Sequence, residues 1–330
     1  MLKAMNTKRN QILNWQQQGY IDPTQIDAAL EICKAQNSHR QWFEFISLSV
    51  LWLSVLASAF GVIFFFAYNW ADLSTFTKFA VLQVLMLVGL FLYSQTETAT
   101  AANKASLLFL ALLIGALFAL FGQTYQTGKD PWQLFFLWMI FVTPLAWVSK
   151  SMSLWLLWLF LANLTLNLIL EVRFGFLGVL FNSARNLLLY AGLNLIAAMW
   201  FEYCYQKKNQ WLKTRVMVQI AIVAVMIASC WIGLNALFSL DKHGLDLLIY
   251  LLWMSAAFYY YRVKILDVLI MSSWVISVII IVLGITAKIV NKDLNGGTYL
   301  LFSILTIALS TAGVKWLLKL SDESGQGDEK

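Results

Sequence analysis

Charged side chains are scarce in this chain. Asp, Glu, Lys and Arg make up only 12% of its 330 residues, whereas 60% of the residues are hydrophobic. The mean hydropathy is +0.71. Soluble globular domains carry about 25% charged residues. So low a charged fraction excludes a soluble domain, an intrinsically disordered chain, a collagen and a coiled coil. The composition therefore predicts an integral membrane protein.

Residues that bind metals or act as nucleophiles are also few. Histidine occurs only at His39 and His243, and cysteine only at Cys33, Cys204 and Cys230. The cysteines form no CxxC pair, and their odd number argues against a closed disulfide framework. A zinc site needs three or four converging ligands. No GxSxG, GxxxxGK[ST] or GxGxxG motif occurs. We therefore expect no metal, no cofactor and no enzymatic activity.

The few charges that are present separate long apolar runs. Ten charge-free runs occur, and eight of them are at least 18 residues long. A helix needs about 20 apolar residues to cross a bilayer, and the two shorter runs are extended by apolar neighbours. We therefore predict an all-α bundle of about ten transmembrane helices. The runs are residues 45–71, 79–96, 105–128, 131–149, 151–170, 186–201, 216–240, 247–261, 268–287 and 294–314.

The net charge of +6 indicates orientation in the membrane. With ten spans and the N-terminus in the cytoplasm, 16 of the 23 Lys and Arg residues fall on the cytoplasmic side. Cytoplasmic loops carry such an excess. We expect both termini in the cytoplasm and the chain in a bacterial inner membrane. No basic run is interleaved with aromatic residues as nucleic-acid binding requires, so the lipid bilayer is the expected partner and nucleic acid is not.

The first 40 residues predict a cytosolic helical hairpin. Gly19 is typical of the residue that follows a helix. Asp22 is typical of an N-cap, and Pro23 of the first position of the next helix. Three parts are therefore expected: the hairpin at 1–40, a transmembrane domain at 41–320 that is one body or two modules (41–170 and 171–320), and a disordered acidic tail at 321–330. Residues 171–185 are expected to form an interfacial or a re-entrant segment on the outer side.

Three segments carry a resemblance to a known family. They are NWQQQGYIDPTQIDAAL in the hairpin, GVIFFFAYNW at the end of the first membrane helix, and LFALFGQTYQTGKDPWQLFFLW at the end of the third. Together they resemble the bacterial membrane-protein family named "domain of unknown function 2157", over roughly residues 8–150. The AYNW and GQTYQTG blocks carry most of the specificity. The resemblance implies a membrane location, supplies no activity, and implies a membrane-anchored partner with a GDYxxLxY motif.

Neutral polar residues inside the spans form the first candidate site. Asn163 and Asn167 share one face of the fifth span, and Asn186 and Asn194 share one face of the sixth. One interpretation is hydrogen bonding between helices. The other is a polar cavity for a small ligand.

The outer loop after the third span is the second candidate site. Gln123, Tyr125 and Gln126 lie in this polar segment, and Asn69 is expected at the same level of the membrane. These residues form either a ligand-binding or partner-binding loop or a helix connection whose aromatic residue belongs to the interfacial belt. A stripe of small residues that includes Ala111 and Gly115 predicts close helix packing nearby.

Three functions fit these observations. The first is a non-enzymatic scaffold or sensory subunit that acts with a membrane or periplasmic partner. The second is a small-molecule or lipid transporter or flippase with a neutral polar cavity. The third is a membrane-embedded transferase with its site in the outer loops. Because the apolar runs contain no central charge, ion-coupled transport is disfavoured. An asparagine-lined wet cavity would favour the transporter, and converging outer carboxylates and arginines would favour the transferase.

Overall fold

The protein is a bundle of helices in a computed structural model. The structure describes residues 11–33, 39–69, 71–98, 100–125, 130–174, 184–207, 212, 214–290 and 296–327. Within these ranges the chain is helical apart from short turns, and no residue lies in a strand. The predicted all-α fold is therefore confirmed for this part of the chain.

The N-terminal hairpin is held by local hydrogen bonds. Residues 11–17 lie in helix α1, and Gly19 follows it with a φ of +79°. Gly19 N donates to Gln16 O and Tyr20 N donates to Trp15 O, which is the Schellman arrangement that ends a helix. Asp22 then accepts a 2.9 Å hydrogen bond from the amide of Thr24. The chain enters the second helix through a 3₁₀ turn at Pro23–Gln25.

A small apolar core joins the two arms of this hairpin. The second arm is helix α2, Ile26–Ile32. Ile12 from α1 and Leu30 from α2 are buried together, and Ile21, Ile26 and Ala29 pack against them. The turn signals at residues 19–23 thus predicted the hairpin correctly.

The remaining helices follow one another with short connections. They are α3 (His39–Tyr68), α4 (Thr75–Gln95), α5 (Ala101–Tyr125), α6 (Pro131–Ser149), α7 (Met152–Phe174), α8 (Ala184–Gln206), α9 (Val216–Phe238), α10 (Leu240–Tyr259), α11 (Val268–Val290) and α12 (Gly296–Gly327). A π-helix, Tyr260–Lys264, extends α10.

Nine helices of the described chain are long and apolar enough to cross a membrane. They are α3 to α9, α11 and α12. The protein is therefore a membrane protein with several spans. Helix α10, which contains most of the predicted run 247–261, is not among the nine. Asp241, Lys242 and Asp246 occupy its first two turns and shorten its apolar length.

The chain divides into two compact units, residues 1–113 and 114–330. This division differs from the predicted module boundary at 170/171, because α6 packs on α7 and α7 packs on α8 within the second unit. The amino-acid composition changes little around residues 170 and 171, so it does not reveal that the helices on either side of this boundary pack together.

Within the first unit, α4 and α5 approach each other closely. A Cβ added at Gly89 of α4 would lie 2.9 Å from the side chain of Leu110 in α5. At the turn between these helices, the Asn103 amide donates to the carbonyl of Tyr93, at 3.3 Å, and to the carbonyl and hydroxyl of Thr96. Asn103 is buried and satisfies carbonyls that the end of α4 leaves without helical partners.

Helix α9 is the centre of the second unit. It packs against α8, α10 and α11. Met217, Ala221 and Ala236 are fully buried along it. Gly233 lets α10 approach, because a Cβ at this position would lie 2.9 Å from the ring of Tyr250. A continuous apolar helix without charges thus becomes the core around which the others pack.

Two further expectations concern chain segments near helix ends. Helix α12 continues to Gly327 and so includes residues 321–327 of the expected acidic tail, whose disorder stays a prediction. Helix propagation adds one hydrogen bond per residue fixed, and an established helix therefore extends beyond its apolar segment. Most of the predicted interfacial or re-entrant segment at 171–185 lies outside the described residues, between the ends of α7 and α8.

Candidate functional site

The predicted polar residues of α7 and α8 meet in the second unit. Asn194 donates from Nδ2 to Oδ1 of Asn163 at 2.7 Å, and Asn163 donates from Nδ2 to Oδ1 of Asn194 at 3.2 Å. Each amide also donates to the carbonyl four residues earlier in its own helix, Leu159 or Tyr190, at 2.9 Å. The half-buried Asn163 therefore satisfies the buried side chain of Asn194, as buried polar groups require.

A second hydrogen bond lies one turn away from this pair. The hydroxyl of Tyr190 in α8 donates to Oδ1 of Asn167 in α7 at 2.8 Å. Three of the four predicted cavity residues, Asn163, Asn167 and Asn194, are thus engaged in contacts between these two helices. The fourth, Asn186, is buried near the start of α8, with 2% of its surface exposed. Whether these residues bind a ligand stays a prediction.

The outer-loop residues lie at the ends of helices. Gln123 and Tyr125 belong to the last turn of α5, where both are exposed, and Tyr125 packs against the ring of Phe121 at 4.7 Å between centroids. Gln126 lies outside the described residues. Asn69 follows α3 and donates from Nδ2 to the carbonyl of Phe65 at 2.9 Å. A binding role for these four residues also stays a prediction.

A charged cluster that the sequence did not predict lies at one end of the second unit. Arg215, which directly precedes α9, donates from one terminal nitrogen to Oε2 of Glu202 at 2.8 Å. Its other terminal nitrogen lies 3.4 Å from Oδ2 of Asp267. The side-chain amide of Gln219 donates to both carboxylate oxygens of Asp267 at 3.1 Å. The cluster therefore joins the end of α8, the start of α9 and the start of α11.

Asp267 has two roles in this cluster. Its Oδ1 accepts a hydrogen bond from the backbone N–H of Ile270 at 3.3 Å, so it caps α11. Only 6% of its surface is exposed. A buried carboxylate is stable only when it is paired and hydrogen-bonded, and Arg215 and Gln219 supply those partners. The cluster fixes where α11 begins relative to α9.

The electrostatics of Arg215 follow from opposing contributions. Burial lowers the pKa of the guanidinium, but the hydrogen bond and the charge of Glu202, together with the charge of Asp267, raise it more. Arg215 thus stays charged while largely buried.

One sequence signal points to this cluster after the fact. Glu202 ends one charge-free run, and Arg215 and Asp267 begin two others. The predicted topology places all three on the same side of the membrane. Charges that bound successive spans on one side of the membrane are candidates for pairing.

Metal binding has no visible basis in the part of the chain described. There, no group of three or more His, Cys, Asp or Glu side chains lies close enough to hold an ion. Glu202 and Asp267 are the acidic members of the cluster, and both are engaged by Arg215.

Comparison with known proteins adds one relation. No curated protein and no solved structure matches the chain. Residues 13–155, however, match the family described as "Predicted membrane protein (DUF2157)". These residues contain most of the hairpin, the spans α3 to α6 and the first residues of α7, and the resemblance expected over residues 8–150 is confirmed.

Proposed function

We propose that the chain is a non-enzymatic subunit of the bacterial inner membrane, a scaffold or sensory component that acts with a membrane or periplasmic partner. The observation that carries the proposal is the reciprocal pair of Asn163 and Asn194. Both lie near the middle of their candidate spans, 152–172 and 186–206. A transport pathway would present such amides to a solute, whereas here they bind each other and join two helices.

The proposed orientation has both termini in the cytoplasm. Its support is the excess of Lys and Arg on that side when the chain crosses the membrane ten times. An even number of crossings requires α10 to cross together with the nine apolar helices. Helix α10 and its π-helical extension comprise residues 240–264, and α10 packs against α9 along the bundle. At about 1.5 Å per residue this segment is longer than the hydrocarbon core, so a crossing would place its charged residues toward its two ends, on either side of the charge-free residues 247–261.

Two exposed regions are available to partners. In the hairpin, Trp15 and Tyr20 are exposed by 49% and 77% although the hairpin has its own apolar core. At the end of α5, Gln123 and Tyr125 are exposed beside the predicted outer loop. The resemblance implies a membrane-anchored partner with a GDYxxLxY motif, and the end of α5 is the contact region that we propose for it.

Site-specific photo-crosslinking tests this proposal. A photoreactive phenylalanine analogue at Tyr125 should crosslink to a membrane-anchored protein that carries the GDYxxLxY motif. The matched control is the same analogue at Val148, which is exposed at the opposite end of α6. Mass spectrometry identifies the product. Gln123→Ala should weaken the crosslink and leave thermal stability in detergent unchanged, because Gln123 is exposed.

Two results would contradict the proposal. One is equal crosslinking of the motif-bearing protein at Tyr125 and Val148, or none at either. The other is protein-dependent movement of a solute or a fluorescent lipid across proteoliposomes that contain only this chain, which would favour the transporter.

A further inference from the structure

A groove of about 570 Å³ lies between α8, α10 and the π-helix. On α8 its lining residues Leu195, Met199, Glu202 and Gln206 form one stripe at helical spacing. The eleven steps from Leu195 to Gln206 rise about 16 Å along the helix. Leu195 lies at the middle of the candidate span 186–206, and Gln206 ends it. Because half of a bilayer's hydrocarbon core is about 15 Å thick, the groove occupies one leaflet.

The groove changes character along its length. Its deep part is lined by Ala198, Ile222 and Ala257, which are buried apolar residues. Its mouth is lined by polar residues, among them Glu202 and Lys264. A length along α8 of about one leaflet, buried apolar lining residues and charged residues near the helix ends match the dimensions and polarity of a single membrane lipid.

The charges at the mouth have opposite signs and are separate. Lys264 is exposed, and among the described residues it has no acidic partner. Glu202 belongs to the cluster with Arg215 and Asp267, which holds one positive and two negative charges and is therefore net negative. A carboxylate offers about four acceptor positions. Glu202 uses some of them for Arg215 and for Gln206, and it retains capacity for a further donor.

We propose that this groove binds one zwitterionic aminophospholipid. An acyl chain lies along the apolar floor, the phosphate binds the ammonium of Lys264, and the lipid ammonium binds the carboxylate of Glu202. A phospholipid with a neutral glycerol headgroup pairs with Lys264 but brings no cation to the carboxylates. The site therefore selects the amine headgroup. This lipid site is independent of the partner proposed above.

Native mass spectrometry tests the occupancy of the groove. The full chain is released from bilayers of equal phosphatidylethanolamine and phosphatidylglycerol content, and retained lipids are counted. We expect one retained phosphatidylethanolamine. Ala256→Phe should reduce its retention about tenfold, because Ala256 lines the groove and is exposed, so the new ring fills the groove without entering the core. Leu252→Phe, at an exposed position on the same helix, is the control and should retain the lipid.

Headgroup selectivity is tested with two further variants. Lys264→Gln should weaken both lipids about tenfold, because it removes the charge that binds phosphate. Glu202→Gln should abolish the preference for phosphatidylethanolamine and leave phosphatidylglycerol binding unchanged. If Glu202→Gln does not fold, Lys264→Gln and Ala256→Phe still decide, since both positions are exposed. Equal retention of the two lipids by the native chain, or normal retention by Ala256→Phe, would overturn the proposal.

Discussion

The ammonium of Lys288 donates a hydrogen bond of 2.7 Å to the carbonyl oxygen of Leu237. Leu237 is the penultimate residue of α9, and Lys288 lies in the last turn of α11. The final carbonyls of a helix have no partners within the helix and carry the negative end of its dipole. Lys288 of α11 therefore supplies a hydrogen-bond donor to the end of the central helix α9. This contact explains why a charged residue lies inside the candidate span 268–290.

Replacing Lys288 should loosen this contact. Lys288→Met should lower the free energy of unfolding by about 0.3–1 kcal/mol, the usual value of a cation at an exposed helix C-terminus. Lys315→Met is the matched control, because Lys315 is exposed on α12 and should give no change. Chemical unfolding of both variants in detergent measures the difference. Equal stability of the two variants would show that the contact does not stabilise the bundle.

The Asn163–Asn194 pair permits a double-mutant cycle. Asn163→Leu should destabilise the protein by about 1–3 kcal/mol, because it leaves a buried amide partly unsatisfied. Asn163→Leu with Asn194→Leu should be less destabilised than the sum of the single variants, since both polar groups are then removed. We expect a coupling of about 0.6–1.7 kcal/mol from unfolding in detergent. Additive effects would contradict direct pairing.

The small-residue stripe on α5 gives a prediction about packing. A Cβ at Gly115 would contact the ring of Trp138 on α6 closer than van der Waals distance allows. Gly115→Ala should therefore destabilise the protein by about 1–3 kcal/mol. Gly192→Ala on α8 is the control, because nothing lies within 4 Å of its added Cβ. The control should be neutral or stabilising, since alanine favours helix. Thermal unfolding in detergent compares the two, and equal effects would contradict the contact.

Local features of this fold were predictable from the sequence. The hairpin turn depends on Gly19, Asp22 and Pro23, whose conformational preferences act within a few residues. The asparagines were placed on single helix faces by their spacing, and the helical period alone decides that. Their pairing required only that two consecutive spans be antiparallel neighbours, which a short connection favours.

The charged cluster could not be predicted in the same way. Arg215 and Asp267 are 52 residues apart, and their contact depends on how α9 packs against α11. Apolar runs in a membrane give each helix little pattern that specifies its neighbours, because every face is hydrophobic. The division at residues 113/114 could not be predicted for the same reason, because it lies within the uniformly apolar helix α5.

The hairpin turn gives a prediction about pKa. Asp22 accepts hydrogen bonds from the hydroxyl of Thr24, at 2.7 Å, and from its amide, and both lower the pKa of the carboxyl. A carboxyl with a lowered folded pKa stabilises the turn above its unfolded pKa, and the effect is lost as pH falls through the folded pKa. Thr24→Ala should raise the pKa of Asp22 toward its ordinary value. Carboxyl ¹³C NMR titration measures it, with Thr24→Ser as the control that keeps the hydroxyl. An unchanged value in Thr24→Ala would contradict the side-chain hydrogen bond.

The orientation of the chain is decided by single cysteines in a background without Cys33, Cys204 and Cys230. Cysteine at Gln126 or at His243 should react with an impermeant thiol reagent in intact spheroplasts, because the charge bias puts both outside. Cysteine at Gln210 should react only after lysis. Lys264 lies at the end of the π-helix that extends α10, so Lys264→Cys reports on that helix alone. If α10 crosses the membrane, the cysteine at 264 reacts only after lysis. Gel-shift labelling measures all four. Labelling of Gln210→Cys in intact spheroplasts would show that the orientation is the reverse of the one proposed. Labelling of Lys264→Cys alone would show that α10 does not cross the membrane, and it would leave the first seven spans as proposed.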